Sequence, residues 1–80
     1  MPRYFFDVHD ASGFSRDEFG DEFDSLEEAK DQVKALLPNI AREEMPDGDL
    51  HQISCDVRDE AGTMVYRGEL TYEGTRFKTT

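Results

Sequence analysis

Ser25-Leu26-Glu27-Glu28-Ala29-Lys30-Asp31-Gln32-Val33-Lys34-Ala35-Leu36-Leu37-Pro38-Asn39-Ile40 carries the one helical period in this chain. Leu26, Ala29, Val33, Leu36, Leu37 and Ile40 recur every three or four residues, with Glu27, Lys30, Asp31, Lys34 and Arg42 on the opposite side. Ser25 followed by Glu28 is a capping box, and Glu27 and Glu28 set negative charge against the positive end of the helix dipole, so a helix starts near Leu26. Pro38 has no N–H, and its ring collides with the Lys34 carbonyl, at about 3 kcal/mol in an undisturbed helix. The sequence therefore predicts a kink or break beside Leu37, with Pro38 opening a second short helical segment to about Glu44.

On either side of this stretch the apolar period is two. Tyr4, Phe6 and Val8 alternate with Arg3, Phe5, Asp7 and His9, which is strand patterning. Asp10-Ala11-Ser12-Gly13 has turn chemistry, and Phe14 to Asp17 should return as a second strand. Asp17 to Asp24 reads as strand end and loop pinned by Phe19 and Phe23 around Gly20. After the turn Pro46-Asp47-Gly48-Asp49, Ile53, Cys55 and Val57 alternate with polar neighbours. Asp59-Glu60-Ala61-Gly62, with Gly62 left-handed, leads into a last strand carrying Met64, Tyr66, Leu70 and Tyr72, in which Gly68 marks a bulge. The fold class is α+β: β-β-α-β-β, a four-stranded, mainly antiparallel sheet with one amphipathic helix on one face. Residues 1–74 form a single domain and residues 75–80 a frayed tail.

Eighty residues hold one small core, which invites self-association. Leu, Ile, Val and Phe are few for so charged a chain, so the six Phe and three Tyr are expected to carry much of the burial. A formal charge of −10 repels phosphate backbones and anionic headgroups, which argues against direct nucleic-acid or membrane partners. One Cys cannot form an internal disulfide, and no apolar run reaches membrane-spanning length, so the expected compartment is the cytoplasm.

Pro2-Arg3-Tyr4-Phe5-Phe6-Asp7, Arg16-Asp17-Glu18-Phe19-Gly20 with Leu26-Glu27-Glu28-Ala29, and Val57-Arg58-Asp59-Glu60-Ala61-Gly62 together resemble a small alphaproteobacterial family of unknown function. The resemblance runs in order over nearly the whole chain and implies fold and origin, with no catalytic, cofactor-binding or metal-binding residues to carry over. Pro38 stands where an ordinary helix former is expected.

Candidate chemistry is sparse. Asp17 to Glu28 spans the twelve positions of a calcium loop, but Phe19 occupies the third and Glu22 the sixth, where the loop needs an oxygen ligand and Gly. The stretch reads instead as a solvated acidic face with helix-capping carboxylates. His9 shares a strand face with Asp7, so a carboxylate could orient its imidazole for metal-dependent or hydrolytic work, yet His51 lies far along the chain and no nucleophile motif accompanies the pair. Cys55, on the inner face, reads as a small hydrophobe. No cofactor is implied. The leading expectation is a non-enzymatic protein-interaction or regulatory module with a protein partner or a second copy of itself. Phe5, Asp7, His9, Asp17, Glu18, Asp21 and Glu22 are its candidate contact residues, and Phe5 is either exposed on the sheet's second face or covered by the tail through Phe77. The alternative is an acidic nucleic-acid mimic or antitoxin-like binder of a basic partner.

Overall fold

The computed structural model describes residues 1–44 and 48–78. In chain order the elements are β1 (Arg3–Asp10), β2 (Gly13–Ser15), β3 (Asp21–Glu22), α1 (Leu26–Glu44), β4 (Leu50–Arg58) and β5 (Met64–Glu73). The sheet order is β2-β1-β4-β5, all antiparallel, with β3 also on β1. The expected α+β architecture is present, with five strands rather than four. The fifth arises because β2 ends at Ser15, short of the expected Asp17, and pairs only with Val8, His9 and Asp10. Asp21 and Glu22 take the vacant start of the same edge, opposite Tyr4 and Arg3.

The sequence dictates each boundary. Asp10 Oδ1 accepts from the Ser12 N–H (2.9 Å) and hydroxyl (2.6 Å), closing the first turn. At the helix start the Glu28 N–H donates to Ser25 Oγ (3.3 Å), while Glu28 Oε2 accepts from the Asp24 N–H (2.9 Å), one residue earlier than in a capping box. The β4–β5 loop closes through Gly62 N–H to the Asp59 carbonyl (3.0 Å), with Gly62 at φ +85° as expected. Of the turn expected at Pro46-Asp47-Gly48-Asp49, Pro46 and Asp47 lie outside the described residues. So do the last two residues of the expected tail, and residues 74–78 have no regular structure.

Helix α1 runs as one element through Pro38, so the expected break and second segment do not form. Packing accounts for this: Val33 and Leu37 before the proline are buried, and Ile40 and Ala41 after it lie against the same core, so one face holds both halves on the sheet. Ala29, Val33 and Leu37 meet Ile53, Cys55 and Val57 of β4 in that core. The expected reliance on aromatics holds only in part. Tyr4, Phe6 and Phe23 pack half-buried at the margin, with Phe6 edge-on to Phe23 at 5.6 Å, whereas Phe14, Phe19 and Phe77 are exposed. A single helix seals the central strand β4 and leaves the sheet's edges to partial cover. Phe19 therefore pins nothing.

Gly68 is not at the bulge, which lies between Val57 and Arg58. It faces the helix, and a Cβ there would sit 2.5 Å from Val33 Cγ1, so the missing side chain is what lets α1 settle on β5.

Candidate binding surface

The sheet face away from α1 is not bare. Along β1 and β4 it carries Phe5, Asp7 and His9 beside Arg58, Asp56 and Ser54, paired across the strands in that order. Asp7 Oδ2 accepts from Arg58 Nε (2.6 Å) and Oδ1 from Arg58 Nη2 (3.1 Å), a bidentate pair whose side chains are only 5% and 12% exposed. The same carboxylate accepts the Asp17 N–H (2.9 Å), and Arg58 Nη2 donates to the Asp17 carbonyl (2.7 Å). Asp17 in turn accepts from the N–H groups of Phe6, Phe19 and Gly20. Gly20, at φ +66°, is obligatory here, since a Cβ would lie 2.7 Å from the Tyr4 carbonyl oxygen. This cluster fastens the loop between β2 and β3 to the middle of the sheet. Burial raises the Asp7 pKa, but the Arg58 and Asp17 hydrogen bonds and the Arg58 and Arg16 charges outweigh it and hold the group below its ordinary value. Asp17 is held low in the same way, burial being overcome by its three amide donors. Arg58 is pushed up, first by its hydrogen bond to Asp7.

Phe5 is half-buried beneath the Arg58 guanidinium, 4.8 Å from its ring centroid, and against Gly20. Phe77 is 80% exposed and does not cover it. Of the seven candidate contact residues, Phe5, Asp7 and Asp17 thus stand in this internal network. Glu18, Asp21 and Glu22 are exposed on the loop and β3, with Glu22 3.8 Å from Arg3.

His9 faces Asp56 rather than Asp7. Its Nε2 is 3.7 Å from Asp56 Oδ2, and Arg67 Nε is 3.5 Å from Asp56 Oδ1, which makes no hydrogen bond among the described residues. Asp56 is 4% exposed beneath His9 and Arg67, and Arg67 also reaches Ser54 Oγ at 3.3 Å. Sequence reasoning missed Asp56 because its cross-strand register with Asp7 is invisible without the pairing of β1 with β4. Among the described residues no group of three or more His, Cys, Asp or Glu side chains could hold a metal ion. Cys55 is buried, and burial, then the charges of Asp56, Asp7 and Asp17, push its thiol up to about 11.

The sheet's two edges differ. β2 and β3 close the outer side of β1, but among the described residues no strand lies beyond β5, which is ten residues long. Phe6 directs its N–H away from β4, to Asp17. By alternation Phe5, Asp7 and His9 turn their amides to β4, and the β4 residues Val57, Cys55, Ile53 and His51 turn theirs to Tyr66, Gly68, Leu70 and Tyr72. The N–H and C=O groups of Arg67, Glu69, Thr71 and Glu73 therefore point outward, unpaired by any strand among the described residues. Behind this edge, Pro38 and Ala41 of α1 and Ile53, Leu70 and Tyr72 of the sheet line a largely apolar groove of about 350 Å³. The free edge was not legible in the sequence, because strand order does not follow from strand count.

No helix of the described residues is long and apolar enough to cross a membrane. No curated protein matches the chain, and no solved structure does. One family model matches it, over residues 3–71, from the first residue of β1 to within two residues of the end of β5. The chain belongs to the family described as Domain of unknown function (DUF6894).

Proposed function

We propose that the protein is a non-enzymatic interaction module that takes up an extended polypeptide segment as an added strand along β5. The observation that carries this reading is the asymmetry of the sheet: one edge is closed by two short strands, while the other offers the outward amides of Arg67, Glu69, Thr71 and Glu73. Main-chain pairing of this kind supplies affinity, and pockets for alternate side chains supply selectivity. The apolar groove between β5 and α1 suits the side chains an added strand would turn toward the helix. The ion network on the sheet's second face argues against catalysis there, because Asp7 and Asp17 are saturated by Arg58 and by backbone amides. The reading places the module in the cytoplasm, where its one thiol stays reduced.

The test uses Thr71→Pro, which deletes an outward donor and leaves the β4 ladder intact. Ten-residue peptides selected by display against the wild-type protein should bind it and lose most of their affinity for Thr71→Pro. Peptides that bind both proteins equally would refute strand addition at this edge.

A further inference from the structure

We infer that the strand added to β5 is β5 of a second copy, in an antiparallel arrangement turning about Leu70. This rests on the strand-addition reading above and names its partner. A two-fold pairing must match the sequence to itself in reverse, and the four outward-facing residues permit one arrangement that uses all of them. With Leu70 on the axis, Arg67 lies opposite the partner's Glu73 and Glu69 opposite the partner's Thr71, each pair occurring twice. Opposite charges thus face one another at both ends, and a hydroxyl meets a carboxylate between them. The competing centres do worse. An axis at Glu69 sets Glu69 against itself, and an axis at Thr71 sets Glu69 against the partner's Glu73, like charge on like. An axis at Gly68 throws Thr71 and Glu73 onto the region distorted by the bulge after Val57.

The helix-side residues agree. Leu70 is 37% exposed and Tyr72 44% exposed, although both turn toward the side α1 covers. About the Leu70 axis, Leu70 packs on the partner's Leu70, and the partner's Tyr72 lies opposite Gly68, whose helix side is already filled by Val33 and Leu37. The result is one continuous sheet with both helices on the same face. A chain of eighty residues gains from this what its single small core lacks.

The experiment is solution mass by sedimentation across a concentration series, with far-UV circular dichroism as the check of folding. The wild type should be a dimer. Thr71→Pro counts twice across the axis and should raise the dimer dissociation constant by more than about tenfold. Glu73→Arg faces Arg67 with a like charge and should weaken the dimer, whereas Glu69→Arg should leave it assembled. A wild-type protein that stays monomeric at every concentration, or a dimer indifferent to both Thr71→Pro and Glu73→Arg, would overturn the inference. Dissociation by Glu69→Arg with Glu73→Arg intact would overturn the Leu70 axis. A monomer that still binds the selected peptides at its edge would retain strand addition and refute only the second copy as its occupant.

Discussion

Arg58→Met is the substitution that tests the sheet's second face. Asp7 is 4% exposed as a residue, and its carboxylate has two bonds from Arg58 and one from the Asp17 N–H. Removing the guanidinium leaves an ionised carboxylate buried on one amide donor, orphans the Asp17 carbonyl, and uncovers Phe5. Breaking one side of a buried pair costs about 3–5 kcal/mol. A domain of this length has about 4–12 kcal/mol of stability to lose, so the variant should sit near the edge of folding. Asp7→Leu combined with Arg58→Met removes both charges and should recover about 2 kcal/mol or more relative to the sum of the single changes. The assay is urea unfolding followed by circular dichroism, since the chain has no Trp, at one fixed protein concentration. pH adds a sign. The Asp7 pKa is depressed in the folded state, so its contribution is present above the ordinary carboxylate value of 3.8 and is lost as pH falls through the lower folded value. In Arg58→Met the lost partner reverses the balance, so the gap between wild type and variant should narrow on acidification. A cost below about 1 kcal/mol at neutral pH, the range of an exposed pair, would refute the reading of this cluster as the tie that holds the loop to the sheet.

Gly68→Ala should destabilise the fold by about 1–3 kcal/mol, because its Cβ would press on Val33 Cγ1 at 2.5 Å. Adding Val33→Ala should shrink that penalty in a double-mutant cycle, and additive costs would show that the contact is not what Gly68 serves. Cys55 should resist alkylation at pH 8 in the native protein and react once urea unfolds it, because its thiol is buried and raised to about 11. Rapid native-state labelling, read by mass spectrometry, would contradict its placement in the core.

What was legible in the sequence is what local periodicity encodes. The stripe from Leu26 to Ile40 and the alternation through Ile53, Cys55 and Val57 each place side chains by backbone geometry alone, and the structure buries those positions or, at Leu26, Leu36 and Ile40, packs them half-buried against the core. What was not legible depends on pairing between distant segments. Asp7 and His9 share a face, so the sequence offered them as partners, but the register that sets Asp7 beside Asp56 gives Asp7 to Arg58 and His9 to Asp56. Asp17 read as one more surface acid, although its carboxylate takes up the Phe6 donor that the truncated β2 leaves without a strand and two more from the loop at Phe19 and Gly20. Pro38 shows the same precedence of tertiary over local terms: a residue that disfavours a helix by about 3 kcal/mol is carried inside one because apolar side chains on both sides of it share a single core. The acidic composition suggested a surface that acts through charge. The cluster of Asp7, Asp17 and Arg58 spends two of those acids on holding the molecule together, and the unpaired backbone of β5 is the feature that reaches outward. In a small domain whose one helix must seal the centre of the sheet, the second face can be closed by ion pairs, but an edge strand can be satisfied only by another strand.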